Sequence, residues 1–119
     1  MVRNQKSGSR GLRLNVRPLD RLPEVLYAAV NLSMPIISTF FGIVVRMFYR
    51  EHEPPHFHGE YQGQQGKFNF DGKMIAGEIS SKTARRLIKQ WASVHRDKLE
   101  GNWKKMKEGR TLEKIAPLE

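Results

Sequence analysis

The chain has 119 residues, a net charge of +9 and no cysteine. That length suits one domain with a modest core, which needs neither metal nor disulfides to hold it together. The lack of cysteine excludes disulfide staples and thiolate zinc sites, so a metal would have to be held by histidine and carboxylate ligands; it also fits a reducing, cytoplasmic setting.

No apolar run approaches the roughly 20 residues that span a bilayer, so no membrane partner is expected. Pro23 and Glu24 interrupt the approach to the short apolar stretch 25–32, which is not read as a signal peptide. The charge is uneven: residues 1–33 carry +4, residues 34–79 carry −1 and residues 80–119 carry +6. Basic surfaces of this kind attract phosphates, anionic head groups or acidic proteins.

Residues 1–33 are expected to form a flexible basic extension. "RNQKSGSRG" has little to bury, "LRLNVRPL" alternates like an edge strand until Pro18, and "EVLYAAVNL" has room for two helical turns. From Met34 the composition changes. "MPIISTFFGIVVRMFYR" is rich in β-branched and aromatic residues and predicts one long strand, or two meeting at a bend at Gly42. Past Gly42, Ile43, Val45, Met47 and Tyr49 share an inward face, while Val44, Arg46, Phe48 and Arg50 share a mixed one.

Pro54-Pro55 then removes ladder donors. "HFHGEY" predicts the next strand, Gln62–Gly66 a hairpin loop, "KFNF" a strand with Phe68 and Phe70 on one face, Asp71-Gly72 a tight turn, and "KMIAGEI" a last strand with a bulge at Gly77.

A helix should start at Ser80 or Ser81, either of which can cap it. Its apolar stripe runs through Ala84, Leu87, Ile88, Trp91, Val94 or His95, Leu99, Trp103 and Met106. Gly101-Asn102 is the expected break between two helices and Gly109 the expected C-terminal cap, after which Leu112 and Ile115 dock on the sheet. The predicted architecture is α+β: a three- to four-stranded antiparallel meander followed by one long or two short helices packed on one face, all within residues 34–119. Ile43, Val45, Met47, Phe57, Phe68 and Phe70 should join the helix stripe in the core.

The combination of "MPIISTFFGIVVRMFYREHEPPHFHGEY" with "HRDKLEGNW" and "LEKIAPL" resembles the bacterial family called domain of unknown function 4160, over about Met34 to Leu118. Similar proteins are short and begin with a Met-Pro-(Ile/Thr)-Ile-Ser pattern, which implies that Met34 is the functional start and residues 1–33 an upstream translation or a dispensable extension. Without them the charge is still +5. Such proteins are often encoded beside another small protein, in an arrangement similar to toxin–antitoxin pairs. The resemblance implies no mechanism.

"EHEPPHFHGEY" holds three of the four histidines, and three readings compete for it. His56, His58 and Glu60 alternate onto one strand face and form a two-histidine, one-carboxylate metal set, with His52 as a fourth ligand if the Pro-Pro turn folds back. His56 and His58 alternatively serve as a proton-transfer pair for RNA cleavage. The favoured reading is structural: Phe57 fills the core while Glu51, Glu53 and Glu60 hydrogen-bond the histidines. His95 lies on the helix stripe and is expected to be half-buried, with Trp91 and Trp103 as core anchors.

The binding candidates are the basic residues: Arg85, Arg86 and Lys89 in one patch, Lys104, Lys105 and Lys107 in another, with Arg46 and Arg50 extending the surface from the strands. The expectation is a binding module rather than an enzyme, without a cofactor, that takes nucleic acid or the acidic product of a neighbouring gene.

Overall fold

The computed structural model describes residues 34–119, which belong to a single unit, Asn31–Glu119. The expectations for residues 1–33 therefore lie outside the described residues. The strands are β1 (Ile36–Phe40), β2 (Ile43–Arg46), β3 (His56–Tyr61), β4 (Gln64–Asn69) and β5 (Met74–Glu78), followed by α1 (Lys82–Val94) and α2 (Arg96–Lys107). The strands pair antiparallel in chain order, each with the next.

The sheet thus has five strands, not three or four. The extra one arises because the chain reverses tightly at Phe41-Gly42, where φ is 49° and 79°. Two successive positive φ values are what a two-residue hairpin turn requires, and glycine supplies one of them without strain. The loop expected over Gln62–Gly66 shrinks to Gln62-Gly63, so β4 starts at Gln64. The turn at Asp71-Gly72 is present, and the Asn69 side-chain oxygen accepts from the backbone N–H groups of Asp71 and Lys73. The bulge of β5 falls at Ile75, which the register skips, and not at Gly77.

Alternation along the strands builds the core. Ile43 and Val45 of β2, Phe57 of β3 and Phe68 of β4 are buried, and Met47 and Phe70 continue the same layer. Ser81 caps α1, its hydroxyl accepting from the Ala84 N–H at 3.0 Å. The helical run breaks at His95, not at Gly101-Asn102. The reason is geometric. Trp91 and Trp103 are twelve residues apart, which on a straight helix would set them roughly 120° apart around the axis. With the interruption, Trp91 packs on Phe57 and Phe40 while Trp103 packs on Phe70 and His56. Both indoles are buried, as is the expected stripe of Ala84, Ile88, Leu99 and Met106; Val94 is exposed and His95 half-buried.

Gly109 ends α2 at φ 70°, with its N–H donating to Met106 and that of Arg110 to Lys105, the paired bonds of a glycine-capped terminus. The following tail closes the core. Ile115 is buried and its N–H donates to the Ile37 carbonyl of β1 at 2.7 Å. The Trp91 indole N–H donates to the Ala116 carbonyl. Asn102, 2% exposed, both donates to the Glu113 carbonyl and accepts from its N–H.

Candidate functional site

On β3, His56, His58 and Glu60 alternate with Phe57 and Gly59, which pack in the core layer. The ladder sets His58 between Arg46 and Lys67, and Glu60 between Val44 and Gln65. Glu60 accepts from the Arg46 guanidinium at 2.9 Å, and Arg46 also donates to the Met34 carbonyl. Glu60 is thereby committed to a cation, and no described group pairs it with the histidines. His52 is exposed and lies outside the cluster.

The carboxylate that does meet the histidines is Glu51, from the loop before β3. One of its oxygens lies 2.5 Å from His56 Nε2 and 3.7 Å from His58 Nε2. The other ring nitrogen of His56, Nδ1, is 2.8 Å from the Pro54 carbonyl. His56 is 3% exposed and its ring sits 5.4 Å from that of Trp103. His58 stacks on Phe48 at 4.2 Å, and its Nε2 is buried without a hydrogen-bond partner among the described residues. Burial pushes the His58 imidazole below its ordinary pKa, against the opposing pull of Glu51.

Alternation along one strand singled out Glu60 as the third member, whereas the loop through Pro54-Pro55 brings Glu51 instead. The structural reading of the segment named Glu51, Glu53 and Glu60 together as hydrogen-bond partners of the histidines; of the three, Glu51 fills that role. The loop is pinned from the helical side: Glu53 accepts from the Trp103 indole at 3.1 Å and from Lys107 at 2.7 Å. Those bonds, Lys107 first, hold the Glu53 carboxyl below its usual range.

The basic candidates separate into two kinds. Arg46, Lys105 and Lys107 are engaged, with Glu60, Glu113 and Glu53 respectively. Arg85 reaches back to the Ile79 carbonyl. Lys104 and Arg50 are exposed, and Arg50 lines a cavity of about 760 Å³ with Tyr49, Glu51 and Lys107. Arg86 and Lys89 are also exposed. They border an open depression of about 720 Å³ together with Arg85 and Lys73, and neither forms an ion pair with a described carboxylate. The acid on that rim, Asp71, is taken by Arg96.

These features define a small α+β domain in which a meander carries two helices and presents a histidine–carboxylate cluster at one end of its central strand. The family model for a domain of unknown function, DUF4160, matches residues 42–104, and the chain belongs to that family. Searches of the curated proteins and of the solved structures gave no match. Among the described residues no helix is long and apolar enough to cross a membrane.

Proposed function

We propose that the chain is a small, non-enzymatic nucleic-acid-binding module of the bacterial cytoplasm that works with the product of an adjacent gene, in a toxin–antitoxin-like or regulatory pair. One observation carries the nucleic-acid reading: Arg86 and Lys89, three apart on α1, stand with Lys73 and Arg85 around one depression, and neither is paired with a described carboxylate, since Asp71 on the same rim is taken by Arg96. Cations so placed suit phosphate oxygens and give binding that tolerates sequence and weakens with salt.

The test is a gel-shift titration of the full chain with short RNA and DNA duplexes and single strands at several salt concentrations. Binding should weaken steeply as salt rises. The Arg86→Ala, Lys89→Ala double variant should bind several-fold more weakly, with a salt slope lower by about 0.9 for each phosphate contact removed. An unshifted band at low salt overturns the reading. A protein partner in place of nucleic acid would show as a stoichiometric companion in purification from the native host. A ribonuclease using His56 and His58 would cut the RNA probe and stop doing so in His56→Ala.

A further inference from the structure

We propose that Glu51, His56 and His58 form a binding site for one divalent transition-metal ion of the kind that prefers imidazole, with Zn²⁺ as the type case. The argument starts from hydrogen-bond roles. The Pro54 carbonyl can only accept, so the 2.8 Å contact places a proton on His56 Nδ1. In the neutral ring Nε2 then carries a lone pair, and it faces a carboxylate oxygen, also an acceptor, at 2.5 Å. Two acceptors at that distance need a cation between them. A proton would serve that pair alone.

A third group converges on the same place. His58 Nε2 is buried, lacks a hydrogen-bond partner among the described residues, and lies 3.7 Å from the same Glu51 oxygen. All three donor atoms lie within 4.8 Å of one another. Metal–ligand bonds of about 2.0–2.2 Å at tetrahedral angles put neighbouring donors roughly 3.3–3.6 Å apart, so a small movement of the half-buried Glu51 away from His56 completes the set. A metal ion satisfies all three groups where a proton satisfies two.

The surroundings match what metal-binding histidines ordinarily have. A backbone carbonyl fixes the tautomer of His56 through its far nitrogen, the usual device for orienting such a ligand. The two rings are held by aromatic neighbours, Phe48 on His58 and Trp103 on His56. Two imidazoles and one carboxylate select zinc, iron, cobalt or nickel over magnesium and calcium, which take oxygen ligands. Three protein ligands leave at least one coordination position for water or another ligand.

The experiment uses the full chain, purified without a histidine tag and stripped with a chelator, then titrated calorimetrically with Zn²⁺ and optically with Co²⁺. One ion per chain, held more tightly than about 1 µM, is expected, together with a rise in the unfolding midpoint. Glu51→Gln and His58→Gln, each checked by circular dichroism for a native fold, should weaken binding about tenfold or more. His52→Ala should leave it unchanged, since His52 is outside the cluster. A folded wild-type protein that binds no stoichiometric Zn²⁺, or binding that survives both Glu51→Gln and His58→Gln, overturns the proposal.

Discussion

At the residue scale, single side chains do work that their type alone does not announce. Asn102 is the clearest case. A buried asparagine that exchanges two hydrogen bonds with the Glu113 backbone acts as one rung of a strand ladder, tying the tail to α2. Asn102→Ala would leave both backbone groups without that partner, and a loss of about 1–3 kcal/mol in denaturant-measured stability is expected. Gly72 is the second. Its φ is 83°, and a Cβ there would come within 2.6 Å of the Lys89 Cα. Gly72→Ala should therefore cost about 1–3 kcal/mol, seen as a lowered thermal midpoint. The sequence marked Gly72 through its Asp-Gly pair but gave no sign of Asn102, because a polar residue on a helix reads as solvated until its partner, distant along the chain, is known. The same blindness put Glu60 in the metal set in place of Glu51, although the structural reading counted Glu51 among the partners of the histidines: period-two alternation finds neighbours on one strand, not those that a loop folds back.

At the scale of elements, most of the order was legible. The helix cap, the apolar stripe and the inward residues of β2, β3 and β4 follow from periodicity, and they lie where it places them. The breaks were harder. Phe41-Gly42 turns the chain although phenylalanine is not a usual hairpin residue, and the sheet on both sides holds it at positive φ. The helix breaks at His95 rather than at its glycine because burial of two tryptophans outweighs the roughly 1 kcal/mol that an exposed glycine costs inside α2. Gly101→Ala should then stabilise the protein by about 0.5–1 kcal/mol, since the site is helical and open; a loss of stability in urea titration would contradict this. Ser81→Ala should cost α1 about 1 kcal/mol on the same assay.

At the scale of the molecule, acid should loosen one region before the rest. Lys107 and the Trp103 indole hold the Glu53 carboxyl below its ordinary 4.5, Arg110 does the same for Glu108 and Lys105 for Glu113. Lowered folded-state values mean that these bonds contribute fully above about pH 4.5 and are lost as pH falls through the depressed values. All three acids join α2 to the loop before β3 or to the tail, so hydrogen exchange at pH 3 should accelerate there ahead of the central strands. The effect is small, because the groups are at the surface. The tail carries a further consequence, for biosynthesis. Every strand and both helices precede residues 113–116, yet the Ile37 carbonyl, the Trp91 indole and both polar atoms of Asn102 find their partners only there. A nascent polypeptide that had emerged only as far as Leu112 would have all seven elements free but an unsealed interior, and residues 113–116 must leave the ribosome before the domain can lock.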